Sequence, residues 1–131
     1  MTAGFDQQVT FIHVADLERS TRFYREALGL DLVLDQGSCR IFRAAGDAFL
    51  GICAGPGRAP APDGVILTLV SDDVDGWWER LAAAGIPGEK APRENPEYRI
   101  YHAFWRDPDG YLVEIQQFLD PRWPPPGGGL R

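Results

Sequence analysis

Cysteine, positive charge and long apolar runs are all scarce in this chain of 131 residues. Its two cysteines, Cys39 and Cys53, form no C-x-x-C pattern, and in a reducing compartment they are expected to be small buried hydrophobes rather than a disulfide. Thirteen Lys plus Arg face nineteen Asp plus Glu, a formal charge of -6. That balance gives no sequence-independent grip on phosphate backbones, so no nucleic-acid partner is expected. No apolar run approaches the roughly 20 residues that span a bilayer, so no membrane partner is expected either. The opening residues MTAGFDQQ carry neither the basic nor the apolar region of a leader, and the expected location is the cytoplasm. What is there is 44% hydrophobic and 24% charged, the balance of one ordinary globular domain with a core of its own.

Turn residues cut the chain into short apolar runs and two segments of helical period, and a Pro/Gly-rich stretch at 55–64 (GPGRAPAPDG) reads as a linker. The first half reads as a strand over 9–14, a helix over 17–28, a strand near 31–35 and a hairpin over 40–54. The second half repeats the order with a strand over 65–70, a helix over 74–84 and a hairpin over 99–118. Asp16 and Asp73 are placed to cap the first turns, and Gly29 and Gly85 to take the left-handed position after the last. Leu17, Ser20, Tyr24, Ala27 and Leu28 share one face of the first helix. Val74, Trp77, Trp78 and Leu81 share one face of the second, where core or dimer packing accounts for both tryptophans. Val9 stands seven residues before Asp16 and Ile66 seven before Asp73, so two copies of a β-α-β-β-β unit explain the order.

Asp107-Pro108-Asp109-Gly110 is a strong turn signal. With Pro108 and Asp109 as a two-residue loop, Trp105 faces Leu112, Ala103 faces Glu114 and Tyr101 faces Gln116 on one side of the sheet. Phe104, Val113 and Ile115 then lie on the side a helix covers, and His102 falls on the face away from Glu114. A bulge at the turn shifts every one of these assignments by one residue. The matching turn in the first half, 44–47, puts Arg40, Phe42, Phe49 and Gly51 on the corresponding side. His13 shares its side of the first strand with Val9 and Phe11.

The segments VADLERSTRFYREALGL, DDVDGWWERLAAAGI and FWRDPDGYLVEIQQF together resemble the vicinal oxygen chelate superfamily, and the likeness covers roughly residues 8–120. That superfamily contains glyoxalase I, the extradiol dioxygenases, the fosfomycin resistance enzymes and the bleomycin-resistance binding proteins. The resemblance implies an α+β fold in which two tandem β-α-β-β-β modules form an open, U-shaped barrel around a concave cleft, commonly completed in a two-fold dimer. The expected layout is a single domain over 1–131, with module one at 8–54, the linker at 55–64, module two at 65–120 and a Pro/Gly-rich tail at 121–131. The end of the tail is expected to be extended or disordered, with Trp123 docking on the body or on a partner subunit.

In metal-dependent members, the resemblance implies, His or Glu side chains at four positions of the concave face hold one divalent ion. Those positions fall here on Val9, Ile66, the neighbourhood of Gly51, and Glu114. Only Glu114 is a donor, so the inherited metal site is expected to be absent, with one divalent ion on Glu114 and a relocated His13 as the fallback. Glu114 is read as a general base or a hydrogen-bond acceptor for a ligand, or else as a remnant paired with Arg40 or water. His13 is read as an acid–base group or as a hydrogen-bonded histidine outside the chemistry. Phe11, Phe42, Tyr101 and Trp105 line a pocket or fill the barrel. Arg40 meets an anionic group of a ligand or makes an ion pair, and Thr68 and Gln116 complete the ligand-contact set. The segment 94–99 (ENPEYR) reads as a lip over the cleft or a plain polar loop.

The leading expectation is a homodimeric small-molecule-binding protein without the inherited metal. Its role is sequestration of a toxic aromatic or cationic compound in the manner of antibiotic resistance, and the acidic charge favours cations. The alternative is a glyoxalase-like lyase or isomerase, or a dioxygenase-like enzyme, using Glu114 and His13 with or without a divalent metal. A third possibility is an interaction module whose cleft is filled by side chains.

Overall fold

Two aspartates start the helices, as their spacing predicts. In the computed structural model, which describes residues 4–127, the Asp16 carboxylate accepts from the Arg19 amide at 3.1 Å and that of Asp73 from the Gly76 amide at 3.0 Å. Each satisfies one of the amides that a first turn leaves without a partner. At the other end of the second helix the Gly85 amide donates to Ala82 and the Ile86 amide to Leu81, with Gly85 at φ 80, the paired bonds of a Schellman stop.

The chain divides into two compact units, Met1–Asp63 and Gly64–Arg131, and the boundary falls inside the Pro/Gly-rich stretch. Unit one runs β1 (Gln8–His13), α1 (Leu17–Arg22), β2 (Asp31–Asp35), β3 (Cys39–Ala45) and β4 (Ala48–Cys53). Its sheet order is β1-β4-β3-β2, with β1 parallel to β4 and the other pairs antiparallel. Unit two repeats this with β5 (Ile66–Val70), α2 (Val74–Ala83), β6 (Lys90–Asn95), β7 (Ile100–Arg106) and β8 (Leu112–Phe118), in the order β5-β8-β7-β6. The fold is therefore α+β, a β-α-β-β-β unit used twice. Among the described residues no helix is long and apolar enough to cross a membrane.

The first helix departs from the expected uniform period. After α1 the chain continues through Phe23–Ala27 in a π-helical turn, in which the Leu28 amide reaches back five residues to the Phe23 carbonyl. Thr21 and Phe23 are buried beside Ser20, Tyr24 and Leu28, while Leu17 and Ala27 stay half-buried. α1 packs on β3 and β4, covering Phe42, Leu50 and Ile52. In unit two, α2 packs on β6, β7 and β8, and Val74 and Leu81 are buried with Trp105, Val113 and Ile115. Each such side chain contributes about 1.5–3 kcal/mol by leaving water.

Strand β6 takes up residues that read as a lip. Glu94 and Asn95 end the strand and 96–99 form the turn into β7. Its Pro92 is tolerated because β6 is an edge strand with a register shift between Lys90 and Arg93. The cysteines also differ from expectation, since Cys39 and Cys53 form a disulfide. They stand directly opposite one another in the β3–β4 ladder, so both thiols emerge on one face at bonding distance. Trp123 stacks on Phe118 with ring centres 3.8 Å apart. The expected disorder at the end of the tail concerns residues 128–131, which lie outside the described residues.

Candidate ligand-binding site

The register of the last hairpin decides which residues can form a site. Asp107 and Tyr111 close the turn, the Asp107 amide donating to the Tyr111 carbonyl at 2.9 Å. The loop is therefore Pro108, Asp109 and Gly110, three residues rather than two, with Gly110 at φ 90, the left-handed position such a loop needs. The Asp107 carboxylate braces it by accepting from the amides of Asp109 and Tyr111, each at 2.9 Å. With the extra residue, Phe104 pairs with Glu114, His102 with Gln116 and Trp105 with Val113. A similar shift affects the first hairpin, where an irregularity between Arg43 and Ala45 sets Phe42 opposite Leu50 and Arg40 opposite Ile52.

This moves four expected cleft residues to the helix side of their sheets. Trp105 is fully buried, with its ring 5.5 Å from that of Trp78 on α2. The Tyr101 hydroxyl donates to Asp75 of α2 at 2.6 Å, and this bond raises its pKa above the usual phenol value. Phe42 is fully buried, 6.2 Å from the Tyr24 ring. Arg40 donates to Thr21 at 2.9 Å and to Glu18 at 2.6 Å, and its hydrogen bond holds the Glu18 carboxyl below its ordinary pKa. With Asp35 of β2 also 3.4 Å from its Nε, Arg40 is a clasp that ties β3 to α1 and β2. Along β1 Val9, Phe11 and His13 are exposed, as are Gln8 and Thr10 on the opposite side, and Ile12 is buried. The Phe11 ring lies over Gly51, where any Cβ would overlap it.

On the face of unit two away from α2 the same shift gathers a polar cluster. Glu114 is buried; its Oε1 accepts from the Thr68 hydroxyl at 2.8 Å, and its Oε2 lies 2.6 Å from His102 Nδ1. Thr68 stands directly opposite Glu114 in the parallel β5–β8 pair, and Val70 opposite Gln116, which is buried beside the cluster. The Phe104 ring meets the His102 imidazole edge-on at 4.8 Å. With Nδ1 engaged by Glu114, Nε2 is the other ring nitrogen with which His102 can meet a ligand. The structure thus joins Thr68, Glu114 and Gln116, three of the expected site residues, with two that the two-residue loop hid, His102 and Phe104. The Asp-Pro-Asp-Gly segment held the signal, because a Gly in its last place suits the bulged three-residue loop.

A pocket of about 390 Å³ opens beside this cluster, lined in part by Lys90, Arg93, His102 and Phe104, within the size range of small-molecule sites. The four positions at which the resemblance implies metal ligands do not suit an ion. Val9, Ile66 and Gly51 carry no donor atoms, and both oxygens of Glu114 are engaged by neighbours. Among the described residues no group of three or more His, Cys, Asp and Glu side chains could hold a metal.

Comparison with known proteins places this arrangement in a family. The chain is 26% identical to a lactoylglutathione lyase from Agrobacterium tumefaciens, covering 88% of this chain and 96% of that one, with a TM-score of 0.71. It is 28% identical to TnmS3, an antibiotic binding protein from Streptomyces sp. CB03234, covering 89% and 98%, with a TM-score of 0.73. The uncharacterized protein YraH of Bacillus subtilis (strain 168) is 26% identical over 119 residues, 81% of this chain and 93% of YraH. A family model matches residues 7–115, and by that match the chain belongs to the Glyoxalase/Bleomycin resistance protein/Dioxygenase superfamily.

Proposed function

We infer that this chain binds a small molecule without the family's metal, holding it against the face of module two that carries Thr68, His102, Phe104 and Glu114. One observation carries the reading: Glu114, the sole donor at the family's metal positions, has Oε1 on Thr68 and Oε2 on His102. A carboxylate engaged in this way makes a rigid polar surface beside an aromatic ring, which suits an organic ligand better than a cation that needs several free donors. The 28% identity to an antibiotic binding protein supports sequestration of a toxic compound as the role. A cytoplasmic homodimer is part of the same proposal. The test is metal content after incubation with Zn²⁺, Ni²⁺, Mn²⁺ and Fe²⁺ and removal of free ion. No retention is expected, and near-stoichiometric retention that disappears in Glu114→Ala overturns the reading.

A second reading is favoured by the 2.6 Å contact between His102 and Glu114. A carboxylate at Nδ1 orients an imidazole for proton transfer at Nε2, so an acid–base lyase or isomerase would use His102 where His13 was expected. The 26% identity to a lactoylglutathione lyase names the reaction class to assay first. Turnover that His102→Gln abolishes, while ligand binding survives, replaces the binding-protein reading with this one.

A further inference from the structure

Strand β6 brings two cations to the face that carries His102 and Phe104. Lys90 stands opposite Phe104 and Arg93 opposite His102 in the β6–β7 ladder, so both leave the sheet on the same side as those rings. The Lys90 Nζ lies 5.8 Å from the centre of the Phe104 ring, and both cations line the pocket of about 390 Å³. Three carboxylates stand near them. Glu89 accepts from Arg106 at 2.9 Å and also feels the charge of Lys90, Glu114 is held by Thr68 and His102, and Glu94, opposite Tyr101 in the ladder, contributes to the pocket wall beside the two cations. Among the described residues neither Lys90 nor Arg93 is drawn into an ion pair. In a chain of net charge -6, this pocket therefore offers two cations outside any ion pair, beside the single lining carboxylate of Glu94, so an acid group has partners here that the overall charge does not suggest.

We propose that the pocket selects a planar aromatic molecule carrying a carboxylate, its ring against Phe104 and His102 and its acid group on Lys90 and Arg93. The inference rests on the small-molecule-binding reading and narrows the ligand chemistry of that site. The guanidinium of Arg93 offers the planar fork that matches a carboxylate, and Lys90 adds a mobile point charge. The two rings, already edge to face, present apolar surface at the spacing aromatic pairs prefer.

The test compares two probes of one shape and opposite charge, naphthylacetate and naphthylmethylammonium. Both are titrated into the full-length protein at low ionic strength, with calorimetry for affinity and the His102 ring resonances for location. The acetate is expected to bind about tenfold more tightly than the ammonium and to shift His102, and Lys90→Glu with Arg93→Glu reverses the order. Phe104→Leu, which leaves both cations in place, weakens both probes while preserving the preference for the anion. Equal or tighter binding of the ammonium with His102 shifted overturns the anion assignment and leaves the binding-protein reading standing. Tight binding of the acetate without a shift at His102 overturns the location. Failure of both probes to bind overturns the proposal together with the reading it rests on.

Discussion

Glu114 is buried with a hydrogen-bonding neighbour on each oxygen, and removing its carboxyl leaves Thr68 and His102 facing a gap. Glu114→Ala is expected to cost about 1–3 kcal/mol, read as a lower urea midpoint at unchanged slope. A second prediction concerns Gly88, where a Cβ would overlap the Trp78 ring, itself packed against Trp105. Trp78 cannot swing aside without uncovering that buried indole, so Gly88→Ala should cost about 1–3 kcal/mol and alter tryptophan emission. At this scale the caps were legible in the sequence, because a capping aspartate acts through local spacing, whereas Glu114 came from the family resemblance, which marks an acid on the strand after the turn. His102 was hidden, because which face it occupies depends on the length of a loop several residues away. The Cys39–Cys53 bond was hidden for a related reason, since it requires knowing which residues stand opposite each other across a hairpin.

At the scale of elements the sequence predicted nearly every helix and strand, yet both hairpins were misread by one residue. Periodicity marks where strands lie, but register comes from the turn, and a single residue in a loop inverts a face. Asp107 holds the unit-two loop in its three-residue form through the amides of Asp109 and Tyr111. Asp107→Ala is therefore expected to destabilise the protein by about 1.5–3 kcal/mol, the range for hydrogen bonds to a charged group. Because the loop sets the pairing of β7 with β8, the same variant should broaden the His102 resonances. Strand β6 escaped notice for a different reason, since its sequence KAPREN has the charges and proline of an edge and almost none of the alternation that marks a buried strand. The site cations Lys90 and Arg93 were missed with it.

Two predictions belong to the molecule as a whole. Arg40, by its hydrogen bond, holds Glu18 below the ordinary carboxyl value of 4.5. A depressed folded-state pKa stabilises above the unfolded value, and the contribution is lost as pH falls through the folded one. Stability curves of the wild type and Glu18→Gln should therefore differ at neutral pH and converge as the solution is acidified. The second concerns assembly: Val9 and Phe11 on β1 of unit one, and Ile66 and Val70 on β5 of unit two, are 40–55% exposed, apolar side chains on an edge strand of each sheet that a second copy would cover. Sedimentation equilibrium is expected to give a dimer at micromolar concentration, and a monomer at every concentration would refute the homodimer proposal.

The bond between Cys39 and Cys53 also has a mechanical meaning. It closes a loop with a sequence separation of 14 around the β3–β4 hairpin, so a force pulling on the two ends of the chain passes from one sulfur to the other and bypasses the strands between. In an optical trap that segment would stay short while the rest of the chain unravels. Adding a reductant should then release about 45 Å of further extension, a length that reports the state of one covalent bond in a single molecule.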